Sequence, residues 1–123
     1  MNKKSRFVSS LIRIRLINKY GCDVSPSSEI GPGLKIEHPV GIVIGQNVHI
    51  GKNFTISQSC TIGEKYIDRR SDGNYPQIGN EVTLGANSTI IGKLKIGNHV
   101  TAGANSLILT DVPDEVTVFG IYK

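Results

Sequence analysis

The sequence predicts an all-β solenoid, and two observations carry that prediction. Ile78, Leu84, Ile90, Ile96, Ala102 and Ile108 recur at intervals of six, with Gly79, Gly85, Gly97 and Gly103 directly after four of them. Four residues after each of the first five come Val82, Ser88, Leu94, Val100 and Ser106. A helix needs apolar residues near 3.6 spacing and a half-buried strand needs alternation. A period of six fits neither. It fits a coil in which each hexad makes one flat face and a corner, and three hexads complete a turn. The aliphatic points inward, the small or apolar residue four later fills the interior near the next corner, and the residues between face solvent or a neighbouring subunit.

At 123 residues the chain is one domain. Its net charge is +4, unevenly spread. Lys3, Lys4, Arg6, Arg13, Arg15 and Lys19 put +6 on residues 1–20 with no acid, so the remainder carries −2. The solenoid body is therefore not a basic surface, and nucleic acid is excluded as its partner. Two cysteines, Cys22 and Cys60, make no disulfide framework. The repeat register puts both two residues before an inward aliphatic but two coils apart, ~10 Å at ~4.8 Å per coil, too far for a bridge. Both read as buried thiols in a reducing compartment, and a cytoplasmic location is expected. No apolar run approaches the ~20 residues of a membrane span. Arg13, Arg15 and Lys19 interrupt the apolar part of the N-terminus, which makes it a poor signal peptide.

Residues 1–20 read as a basic amphipathic capping segment. Phe7, Val8, Leu11, Ile12 and Ile14 keep rough helical spacing, and Gly21 can end the helix. The open edge and apolar interior of a first coil need such a cover. A second reading of the segment is contact with an anionic membrane surface. Residues 21–123 form the repeat domain. Val24, Ile30 and Ile36 open it, and the phase then slips by two residues across Glu37–Val43. Register resumes at Ile44, Ile50, Ile56 and Ile62, with Val48, Phe54 and Cys60 at the second inward position. Each fully buried aliphatic contributes roughly 1.5–3 kcal/mol. Residues 64–77 break the period with polar and turn-forming residues, as a loop thrown out from one corner; such insertions often mark a binding face. The chain is expected to leave the repeat at Thr110-Asp111-Val112-Pro113.

The repeat unit Ile78-Gly79-Asn80-Glu81-Val82-Thr83 resembles that of the hexapeptide-repeat acyltransferases. Within them, Asp23-Val24-Ser25-Pro26 through Ile36-Glu37-His38-Pro39-Val40-Gly41-Ile42-Val43 is similar to the serine acetyltransferase group, and especially to its short relatives of surface-polysaccharide gene clusters. The resemblance covers residues 19–120. It implies a left-handed parallel β-helix, here of about five coils after a short N-terminal helical segment. It also implies a homotrimer with active sites between subunits, and acetyl-CoA as co-substrate, with no metal expected.

The resemblance assigns His38 as the general base that takes the proton of an acceptor hydroxyl, and Asp23 as its support. The chemistry agrees, because an alcohol is a weak nucleophile and a placed imidazole a suitable base. Asp23 precedes His38 by 15 residues, just under one coil, so the two can be neighbours. Glu37 takes the place of an Asp that contacts the amino acid substrate. The family carries Arg then His before the proline that matches Pro76; here they are Asn74 and Tyr75. Losing the Arg removes the partner of a substrate carboxylate, while Tyr75 can stack on a sugar ring. The CoA groove maps to Gly85-Ala86 and Gly103-Ala104, whose small side chains admit a pantetheine arm.

The expected activity is therefore acetyl-CoA-dependent O-acetylation of a small acceptor, a sugar hydroxyl of surface-polysaccharide synthesis. One alternative is serine O-acetylation in cysteine synthesis, and another is a non-catalytic trimeric scaffold. A metal enzyme built on this same β-helix needs converging ligands. His38, His49 and His99 lie on well-separated rungs and do not supply them.

Overall fold

The computed structural model describes residues 3–65 and 73–123, with side chains from Phe7 onward. Among the described residues a helix, α1 (Lys3–Tyr20), leads into fifteen short strands. The first coil is β1 (Asp23–Val24), β2 (Glu29–Ile30) and β3 (Lys35–Ile36). The second is β4 (Val43–Ile44), β5 (His49–Ile50) and β6 (Thr55–Ile56), and the third β7 (Thr61–Gly63), β8 (Gln77–Ile78) and β9 (Thr83–Leu84). The fourth is β10 (Thr89–Ile91), β11 (Lys95–Ile96) and β12 (Thr101–Ala102). The fifth holds β13 (Leu107–Ile108), a bridge from Val112 to Ile96, and β14 (Thr117–Val118), and β15 (Ile121–Tyr122) begins a sixth.

Each strand pairs in parallel with its counterpart one coil away, making three sheets. The first sheet is β1-β4-β7-β10-β13-β15, the second β2-β5-β8-β11 and the third β3-β6-β9-β12-β14. The result is a three-sided prism. Its first edge joins the first sheet to the second, its second edge joins the second to the third, and its third edge joins the third back to the first.

The inward columns follow the period. Ile44, Ile50, Ile56, Ile62, Ile78, Leu84, Ile90, Ile96, Ala102 and Ile108 are buried. So are the companions Val48, Phe54, Cys60, Val82, Ser88, Leu94, Val100 and Ser106. The two serines are tolerated inside because their hydroxyls donate to corner carbonyls, Ser88 to Gly85 O at 2.7 Å and Ser106 to Gly103 O at 2.6 Å. Burial pushes the Cys22 and Cys60 thiols up, with the Asp23 charge a second cause at Cys22. Both cysteines are free.

The corners have their own rule. Asn47, Asn53, Ser59, Glu81, Asn87, His99, Asn105 and Glu115 all have φ between 57° and 65°, and each stands three residues after an inward aliphatic. Asn tolerates this left-handed conformation better than most side chains, which is why it recurs there. The glycines beside the aliphatics are required by close stacking. A Cβ on Gly51 would lie 2.8 Å from Gly79 O, and one on Gly79 would lie 3.0 Å from Gly97 O.

Two expectations are corrected. The repeat does not end at Thr110, since Val112 and Val118 are buried and Tyr122 packs on the core. The inward spacing shortens from six to four between Ile108 and Val112, and again between Val118 and Tyr122, so a strict hexad search loses the column while the structure keeps it. The helix is also turned against expectation. Ser9, Arg13 and Leu16 are its half-buried residues, whereas Phe7, Leu11 and Ile14 are exposed. Its cover is partial: Ile36 in the first coil remains 38% exposed. Gly21, at φ 63°, ends the helix as the sequence suggested.

Candidate active site

His38 occupies the corner that closes the first coil. Ile36 and Ile44 are eight residues apart rather than six, and residues 37–42 make up the difference on the third edge. The corner is braced from both sides. Gly41 N donates to Gly21 O at 2.9 Å and Asp23 N donates to Ile42 O at 2.8 Å, which sets the corner against the strand that carries Asp23. From the next coil, Ser59 N donates to Val40 O at 2.9 Å. Gly41 is needed there, because its φ is 74° and a Cβ would sit 3.0 Å from Ser59 Oγ. A rigid corner thus presents an exposed imidazole.

The acidic groups expected around His38 are otherwise engaged. Asp23 accepts two hydrogen bonds from Arg13 of the helix, Nε to Oδ1 at 2.7 Å and Nη2 to Oδ2 at 3.2 Å. Forked, charge-assisted pairing of this kind is stronger than a neutral hydrogen bond. It raises the Arg13 pKa, the hydrogen bond being the largest cause. Among the described residues no hydrogen bond joins Asp23 to His38. Glu37 Oε1 is paired with Lys35 Nζ at 3.2 Å. His49 pairs with Glu29 at 3.0 Å on the second sheet, and His99 is an exposed corner residue of the second edge. The three histidines do not converge, and no metal-ligand cluster occurs among the described residues.

Above His38 the third edge carries the predicted cofactor positions. Asn87 N donates to Gln58 O at 3.0 Å and Asn105 N to Ala86 O at 2.8 Å, so successive corners stack. Gly85-Ala86 and Gly103-Ala104 therefore lie in one line with the His38 corner. Gly85 is also forced by packing, since its Cβ would meet Ala104 N at 2.8 Å. Gly103 is covered by the ring of Phe119, whose Cδ1 would lie 2.7 Å from a Cβ there. Phe119 is 78% exposed. Sequence reasoning missed Phe119 and Arg13, neither of which lies on a hexad position.

Asn74 and Tyr75 are elsewhere. Both are half-buried on the first edge, between β7 and β8. Pro76 is buried, and its carbonyl accepts from His49 N at 3.2 Å. Tyr75 borders a cleft of about 270 Å³ with Gln77, Lys93, Lys95 and Asp111. Asn74 borders one of about 380 Å³ with Lys65, Ile91, Lys93 and Leu109. The loop residues 66–72 lie outside the described residues. Within one chain, then, the candidate base and the candidate acceptor contacts stand on different edges of a rigid prism.

A family model described as the hexapeptide repeat of succinyl-transferase matches residues 77–92. A serine acetyltransferase of Staphylococcus epidermidis is 38% identical over 120 residues, covering 97% of this chain and 55% of that protein. Soybean serine acetyltransferase complexed with serine is 34% identical with a TM-score of 0.83, over 94% of this chain and 46% of that one. A serine acetyltransferase complexed with CoA is 27% identical with a TM-score of 0.82, over 92% and 45%. The three parallel sheets and the hexapeptide repeat define the fold class, a left-handed β-helix. Over nearly its whole length the chain is similar to serine acetyltransferases. It spans 36% of the length of a matching Arabidopsis thaliana serine acetyltransferase and 55% of that from S. epidermidis.

Proposed function

We propose that this chain transfers the acetyl group of acetyl-CoA to the hydroxyl of L-serine, in an assembly of three copies. The observation that carries the reading is the alignment of the exposed His38 with Gly85-Ala86 and Gly103-Ala104 along the third edge. In this reading the thioester lies along that line. The serine oxygen attacks the acetyl carbonyl carbon as His38 takes the hydroxyl proton. The C–S bond then breaks, and the CoA thiolate leaves and takes a proton.

The split between edges supports the assembly. A three-fold arrangement can set the third edge of one copy against the first edge of the next, bringing Asn74 and Tyr75 to a neighbour's His38. Asp23 contributes indirectly in this scheme, as the anion that ties the helix to the first coil.

The comparisons favour serine over the sugar hydroxyl expected from Asn74 and Tyr75. A serine carboxylate needs a cation, and Lys93 borders both the Asn74 and the Tyr75 clefts. It takes the part of the missing Arg in this reading. Two measurements test the proposal. Thiol release from acetyl-CoA should depend on L-serine and stay at background with amino sugars; sugar turnover without serine turnover refutes it. Lys93→Met should raise KM for serine roughly 10–100-fold, the cost of a hydrogen bond to a charged group, with kcat little changed. An unchanged KM removes Lys93 from the site.

A further inference from the structure

We infer that α1 (Lys3–Tyr20) docks the protein on an anionic lipid surface through its outward face. A helix that served only to cap the first coil would turn its apolar side to the body. This one divides its apolar residues between two sides. Its body-facing side offers Arg13, ion-paired to Asp23, with Ser9, Ile12 and Leu16 along the rim of the first coil. Its outward side offers Phe7, Leu11 and Ile14, which are 65%, 49% and 53% exposed. Their i, i+4, i+7 spacing lines them up along the helix. Val8 and Ile17, also exposed, widen the stripe. No helix among the described residues is long and apolar enough to cross a membrane, so the contact inferred is a peripheral one, made by exposed apolar side chains and basic charge together.

Charge decides between the two occupants such a stripe fits. Residues 1–20 carry six basic side chains and no acid, whereas the rest of the chain is net −2. Packing the stripe against the same helix of a second copy brings two +6 segments together. An anionic lipid surface turns the same charges into attraction, and long basic side chains beside an interfacial helix reach the headgroups while their stems stay with the apolar stripe. Arg13 is already engaged by Asp23, which leaves Arg15 and Lys19 as described cations on exposed positions of the helix. This inference is independent of the acetyl acceptor.

The test uses the full chain and sedimentation with vesicles of phosphatidylcholine alone or with about a third phosphatidylglycerol. Partition onto the anionic vesicles should be at least about tenfold stronger and should weaken as salt rises, as a screened surface attraction does. Phe7→Ser/Leu11→Ser/Ile14→Ser should lose at least about tenfold in binding while keeping its circular dichroism and its mass in lipid-free solution. Those three side chains are exposed and lie outside the core cluster, so the variant should leave the prism intact. Absent binding, equal binding to neutral vesicles, or unchanged binding by the triple variant overturns the inference. A drop in lipid-free mass for the triple variant also overturns it, and assigns the stripe to a second copy.

Discussion

Replacing His38 with alanine is expected to lower kcat for acetyl transfer roughly 10²–10⁴-fold, the range for loss of a positioned general base. The folded state should be almost unaffected, because the side chain is exposed and the corner is held by backbone bonds from Gly41, Asp23 and Ser59. His38→Gln keeps the size and loses the proton acceptor, and should fall equally far. Thiol release at saturating acetyl-CoA and serine, set beside thermal unfolding of the same samples, separates the two effects. Activity within a few-fold of the parent would remove His38 from the chemistry and leave its braced corner without a catalytic role.

Phe54→Ala should be the most damaging single truncation in the interior. Phe54 is the largest of the fully buried side chains and sits inside the second coil with 0% exposure. Its loss should cost about 3–5 kcal/mol, the transfer term plus the cavity left behind. Phe119→Ala is the matched control, since a 78% exposed ring that rests on Gly103 from outside and fills no interior space should change stability by about 0.5 kcal/mol or less. Denaturant unfolding of both variants checks the pair, and equal stabilities would contradict the inward assignment of the companion column. Each coil touches only its neighbours, so the damage should concentrate in the first three coils.

The periodic part of the fold was legible because it repeats. Inward aliphatics at intervals of six, companions four residues later and the two-residue slip before Ile44 all stand in the sequence and in the structure. The departures were less legible, for separate reasons. The column through Val112 and Val118 was hidden because a spacing of four replaces six at one corner. The pairing of Arg13 with Asp23 was hidden because nothing periodic sets how a lone helix lies on the first coil. Asp23 was therefore given to His38 on the resemblance, with the 15-residue separation in agreement, and nothing in the sequence pointed to Arg13 as its partner. The edges were hidden as well. Three equivalent corners recur in each coil, so the sequence does not tell which edge carries an irregularity; His38 stands on the third edge and Asn74 and Tyr75 on the first. The acceptor expectation moved from a sugar to serine for a further reason. Two changed residues outweighed the rest of the chain in the sequence reading, and Lys93 comes near them only through folding.

The return distance of the chain has a wider meaning. Val24 pairs with Ile44 after 20 residues, Ile44 with Ile62 after 18, Ile62 with Ile90 after 28, Ala102 with Val118 after 16 and Ile108 with Tyr122 after 14. The interior meets only the residue that arrives and takes no account of the route. Corners can therefore lengthen or shorten by descent while the aliphatic columns stay stacked, and each change lands on the outer surface, where a new side chain meets a ligand or a neighbour. His38 stands in one such lengthened corner, and Asn74 and Tyr75 in another. A scaffold of this kind can take on new specificity by insertion, without first having to loosen what holds it together.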